Sequence, residues 1–167
     1  PGTGSITNVN SRILTAMSDQ GIPALSLMYN NSLSPNDICV LNNITSTIAD
    51  QNNCFIKVRR DGVEGSSADI GIIQRLKNAL LRLGWHQYFR PDGSINTDKI
   101  IFGGHSQGAG MAAWIGKNYF TKRICQFAGT WDFTIDYSSG NIKAPASWLS
   151  SPSKTPSTHF YGFTHKN

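Results

Sequence analysis

An α/β domain with a mostly parallel sheet and helices on both faces is predicted by three features of the sequence. Apolar runs at 22–29, 100–102, 123–128 and 158–163 mostly alternate with helix-periodic stretches. The connections between them are long enough for right-handed crossovers. Lys99-Ile100-Ile101-Phe102 also leads through Gly103-Gly104-His105-Ser106-Gln107-Gly108 into the small-residue run Ala109–Trp114. That order reads as a strand, a tight turn and a helix.

Taken in order, residues 1–5 (Pro-Gly-Thr-Gly-Ser) form a glycine-rich turn. Ile13, Leu14 and Met17 recur at helical spacing, and Gly21 is placed to end that helix near Gln20. Ile22 to Tyr29 reads as a buried strand with Pro23 at its beginning. From about residue 30 to 65 the pattern loosens into Asn, Ser, Pro and Asp, interrupted by the short helix-like group Ile38, Leu41, Ile44 and Ile48. This stretch is expected to be a lid-like or loop insertion.

Ser66-Ser67-Ala68-Asp69 supplies an N-cap pattern. The helix after it carries Ile73, Leu76, Leu80 and Leu83 on one stripe and is stopped by Gly84. Pro91-Asp92-Gly93 marks a turn before the 100–102 strand. Arg123–Ala128 is the next strand, ending at Gly129, and residues 137–157 read as a loop anchored by Trp148 and Leu149. Thr158–Phe163 is the last strand, and no internal repeat is visible.

A length of 167 residues suits one domain with a sizeable core. The net charge is +5, but its fifteen basic residues are scattered. The densest group, Lys57, Arg59 and Arg60, is too small for a nucleic-acid footprint and reads as a solvated face. No apolar run reaches membrane-spanning length. Spacings for a zinc site, a P-loop or a dinucleotide fingerprint do not occur, so no metal or cofactor is expected. The chain starts at Pro1 and stops soon after a strand, which reads as an internal piece of a longer protein.

The three cysteines are expected to divide into a Cys39–Cys54 disulfide and a buried, reduced Cys125. Such a bridge implies an oxidising compartment, and its loop closure is worth about 3 kcal/mol in the chain-entropy model. The acceptor sequons at Asn30 and Asn43 agree with a secreted or extracellular location.

The pattern Gly104-His105-Ser106-Gln107-Gly108 has the form G-x-S-x-G. Its turn throws Ser106 out at the carboxyl end of a strand, and larger side chains at Gly104 or Gly108 would collide there. A serine hydroxyl becomes a useful nucleophile when a base within hydrogen-bond reach takes its proton. The resulting tetrahedral intermediate needs backbone donors aimed at its oxyanion.

On these residues the chain resembles the serine hydrolases of the α/β-hydrolase fold. The resemblance covers nearly the whole chain, is specific at the Gly104–Gly108 turn, the nucleophile elbow of that family, moderate at the Pro1–Ser5 loop and topological elsewhere. It implies an acyl-enzyme on Ser106, with Gln107 supplying one oxyanion amide and Thr3, or else Gly4, the second. The acid would follow a strand after the elbow. Asp132 is the candidate, with Asp136 behind it, although more members of the family place the acid after the next strand, at or beyond residues 165–167. His105 lies inside the elbow, His86 before it, His159 within a strand and His165 too early for the family's order. The catalytic histidine, and with it the acid, is therefore expected in further sequence, and the isolated piece is expected to be inactive.

The function that follows is hydrolysis of carboxylic esters, with a small-molecule or lipid-like substrate. Two alternatives stay open: a non-catalytic binding domain that keeps the elbow as scaffold, and an acyltransferase or peptidase on the same framework.

Overall fold

The computed structural model describes residues 11–28, 31–62 and 71–164. The architecture is α/β. Three strands, β1 (Ile101–His105), β2 (Arg123–Phe127) and β5 (Phe160–Phe163), form a parallel sheet in the order β1-β2-β5. Helix α4 (Gln107–Asn118) makes the crossover from β1 to β2. Two further strands, β3 (Phe133–Asp136) and β4 (Ile142–Pro145), form a separate antiparallel hairpin.

Helix α1 (Ser11–Asp19) ends where its sequence predicts. Gly21, at φ 68°, takes the left-handed position, and the Ile22 amide donates back to the Met17 carbonyl at 2.9 Å. Helix α3 (Ile72–Arg82) buries Ile72, Leu76 and Leu80 and stops at Gly84, also at positive φ. The residue capping its start is Gly71; the Ser66–Asp69 pattern and Tyr29 lie outside the described residues. The turn at 91–93 forms as expected, with the Gly93 amide on the Arg90 carbonyl at 2.9 Å.

Helix α4 is buried along nearly its whole length, from Gln107 to Gly116. One side of it lies on β1 and β2, and α2 (Ile48–Asp61) packs on another. A helix enclosed this way needs small residues, which is why six of its twelve residues are Gly or Ala. The main core gathers on this side of the sheet and includes Phe55, Val58, Met111, Trp114, Ile135 and Trp148.

Four expectations about the secondary structure and its layering need correction. Residues 22–28 form no strand. Pro23 has no N–H for a ladder, and the apolar residues serve another purpose, with Leu25 and Leu27 packing toward Leu76, Leu80 and Ile95. The expectation of a loose excursion at 30–65 fails at 48–61, which is helix α2. Thr47 begins α2 with a capping box, its hydroxyl accepting from the Asp50 amide while Asp50 accepts from the Thr47 amide. Gln51, Phe55, Val58 and Arg59 then point into the core. The 137–157 loop contains β4, paired in register with β3 from Phe133↔Pro145 to Asp136↔Ile142. Trp148 anchors the chain after it, as expected.

The fourth correction concerns the second face of the sheet. Ile101, Gly103, His105, Arg123, Cys125, Phe127, Tyr161 and Phe163 share that face by alternation and register. Among the described residues no helix packs flush against it. Ile13, Leu14 and Met17 of α1 line a cavity of about 540 Å³ together with Ile101, Gly103, Cys125 and Phe127 of that face, and Ile72, Leu76 and Leu80 of α3 line it as well.

The Cys39–Cys54 disulfide is present and ties a π-helical turn at Asp37–Leu41 to the second turn of α2. Cys125 is a free thiol, half-buried rather than buried, and burial pushes its pKa up against a smaller opposing effect of Arg123. Thiol titration of the unfolded, unreduced chain is therefore expected to find one reactive group, and three after reduction. In the folded protein Cys125 should alkylate more slowly at neutral pH than an exposed cysteine. No helix among the described residues is long and apolar enough to cross a membrane.

Candidate functional site

Ser106 stands between the carboxyl end of β1 and the first residue of α4, with φ 53° and ψ −115°. A non-glycine residue at positive φ is strained by about 1–3 kcal/mol, and such strain persists only where the surroundings fix it. Two backbone bonds do so here. The Ser106 amide donates to the Phe127 carbonyl of β2 at 2.8 Å, and its own carbonyl accepts from the Ala109 amide at 2.9 Å. The turn itself closes by near contact of two glycines: a Cβ on Gly104 would stand 2.0 Å from the Gly108 carbonyl oxygen.

The Ser106 side chain is half-buried, and its hydroxyl makes no hydrogen bond among the described residues. Gln107 follows as the first residue of α4, so its amide lies at the positive end of the helix dipole. His105 precedes the serine on the exposed outer face of the sheet. Thr3 and Gly4 lie outside the described residues, as does His165.

Neither of the other histidines approaches the serine. His86 sits in an exposed turn on the amino side of β1. His159 ends the turn leading into β5, with Nδ1 3.4 Å from the Thr121 carbonyl and its ring edge-on to Phe120. Strand register puts His159 at the amino edge of the sheet, roughly 16 Å along the strand direction from Ser106.

Asp132 stands just past the carboxyl edge of the sheet but is occupied otherwise. Its carboxylate takes a bidentate pair from Arg59, with Nε at 2.9 Å and Nη2 on the second oxygen, and Trp148 Nε1 donates to it at 2.8 Å. Its backbone carbonyl accepts from the Ala146 amide. Both charged side chains are almost completely buried, 3% and 1% exposed for Arg59 and Asp132. Asp136 accepts from Ser138 and Ser139 in the exposed β3–β4 turn, and those hydroxyls hold its carboxyl below the usual range.

Arg59 is the residue that sequence reading misplaced. Instead of belonging to a solvated basic face, it crosses from α2 to the start of α4, where Nη1 donates to the Gln107 carbonyl at 2.7 Å. A Cβ on Gly110 would stand 2.3 Å from the guanidinium carbon, so that glycine is the space the arginine occupies. The signal was available in the spacing: Gln51, Phe55, Val58 and Arg59 fall at i, i+4, i+7 and i+8, one stripe of a helix. Lys57 and Arg60 do face solvent, with Arg60 paired to Asp61.

At the same edge of the sheet, Phe127 and Phe163 are stacked with ring centres 4.9 Å apart, and Trp131 is 77% exposed. No group of His, Cys, Asp or Glu that could hold a metal ion occurs among the described residues. No protein-family model matches the chain, and comparison with curated proteins and with solved structures gives no match.

Proposed function

We propose that the protein is a serine hydrolase of the α/β-hydrolase type acting on carboxylic esters. The observation that carries the reading is the strained backbone of Ser106, held at φ 53° between a parallel strand and a helix N-terminus by a contact only glycine permits at 104. In the reaction, Ser106 Oγ attacks the ester carbonyl carbon while a base takes the hydroxyl proton. The carbonyl oxygen becomes an oxyanion facing the Gln107 amide, and collapse expels the alcohol, which carries a proton away. Water then attacks the acyl-enzyme, releasing the acid and returning the proton to Ser106. Phe127, Phe163 and Trp131 offer apolar surface beside this point, which supports an uncharged acyl or alcohol group. The disulfide supports secretion.

The Asp132 pairing supports a different role from the one its position suggests. Its oxygens serve Arg59 and Trp148, so the reading assigns it to the scaffold under the elbow and leaves the acid elsewhere. The same pairing favours the second reading, a binding domain that keeps the elbow without a triad. Turnover of short-chain nitrophenyl esters by the full-length protein separates them. Hydrolysis that falls by at least about 10³-fold in Ser106→Ala is expected for the enzyme. Background rates in both proteins would support the binding domain.

A further inference from the structure

We propose that Arg59 is a positioning residue for the oxyanion amide, an inference that rests on reading Ser106 as the nucleophile. Its guanidinium uses all three of its nitrogens in a fixed plane. Nε and Nη2 are locked on Asp132, and Nη1 reaches the Gln107 carbonyl. The Asp132 pairing is rigid because it is bidentate, almost completely buried and braced by Trp148. The third arm is therefore aimed, not loose.

What it aims at is residue 107, whose amide is the donor that the acyl-transfer chemistry needs. Fixing the Gln107 carbonyl fixes the peptide plane that follows Gln107, while the Ser106–Phe127 bond fixes the backbone before it. The donor is thus held from both sides before substrate arrives. Preorganisation of this kind matters because an oxyanion donor must sit within tenths of an ångström of its working position. Gly110 is part of the same device. Any side chain there would meet the guanidinium, at 2.3 Å from its central carbon and 2.5 Å from Nη1. A purely structural ion pair between α2 and the segment after β2 would not need the bond to residue 107.

Lysine cannot reproduce the fork, so Arg59→Lys keeps the charge and loses the aim. Gly110→Ala displaces the guanidinium while leaving Arg59 in place, and serves where Arg59→Lys folds poorly. Gln51→Ala is the control: it removes the other buried polar tie of α2, the paired bonds to the Ile135 backbone, far along the helix from the elbow. Ester hydrolysis by the full-length protein and these variants, with Ser106→Ala alongside, gives kcat and KM, and amide NMR reports the Gln107 resonance.

Arg59→Lys and Gly110→Ala are expected to lower kcat by about 10- to 100-fold, with KM within about threefold, and to shift the Gln107 amide. Gln51→Ala is expected to lower the melting temperature and leave kcat within about twofold. An unmoved Gln107 resonance, or kcat losses in Gln51→Ala as large as those in Arg59→Lys, would overturn the positioning role. Turnover that survives Ser106→Ala would instead overturn the hydrolase reading, and the Gln107 resonance would still decide whether Arg59 sets that amide.

Discussion

Gly104→Ala is expected to destabilise the protein by about 3 kcal/mol, at the upper end of the range for overpacking, and to abolish any chemistry at Ser106. The added methyl would overlap the Gly108 carbonyl carbon and oxygen at 2.1 and 2.0 Å and approach the Ala109 nitrogen at 2.7 Å. These are backbone atoms in the first turn of α4, so no rotamer change relieves the clash. The helix must move away from β1, and the bonds that hold Ser106 at positive φ are lost with it. Urea denaturation measures the first effect through its midpoint, and ester turnover the second. A Gly104→Ala protein with wild-type stability would show that the turn is looser than the structure has it.

Asp132→Ala has an expected effect of similar or larger size, for a different reason. The substitution leaves the Arg59 guanidinium buried without a counter-charge and strips Trp148 Nε1 of its acceptor. Removing one partner of a buried ion pair costs about 3–5 kcal/mol because the surviving charge stays desolvated. Against a total stability of about 5–15 kcal/mol, that is enough to leave a substantial unfolded fraction on heating. Replacing both partners together, Arg59→Met with Asp132→Leu, should recover much of the loss, since no uncompensated charge remains. A double-mutant cycle in thermal or urea unfolding measures this. If Asp132→Ala melted within a few degrees of wild type, the pair would not be the buried tie described above.

These two residues show what could be read in the sequence and what could not. The elbow was legible because its constraint is local: Gly104, Ser106 and Gly108 are close in the chain, and the steric reason for each glycine follows from the turn alone. The helices α1 and α3 were legible through apolar spacing and terminal glycines, α4 through the small-residue run after the turn, and β1, β2 and β5 through their apolar runs. The Cys39–Cys54 bridge followed from its place in the chain. Arg59 was not legible as a buried residue, because nothing near it in sequence announces Asp132, 73 positions later. Its helix was hidden for the same reason. Asn52, Asn53, Arg59 and Arg60 give 48–61 a polar look, although only one stripe of it meets the core.

Residues 22–28 failed in the opposite sense. Their apolar pattern is real, but apolarity reports burial and not pairing, and here the burial is against α3. Strand β4 was missed because a four-residue strand with exposed side chains carries no hydrophobic signal; its register is set by the turn and by β3. Asp132 sits where a triad acid could stand, and only the three-dimensional partners of its oxygens assign it to Arg59 and Trp148.

The reactivity of Ser106 is the most direct test of the whole account. Treatment of the full-length protein with a fluorophosphonate, followed by trypsin, should place the adduct on the peptide spanning residues 100–117, in which Ser106 is the only hydroxyl side chain. Labelling there that disappears in Ser106→Ala is the result predicted. No adduct on that peptide, under conditions that label a known serine hydrolase, would contradict it.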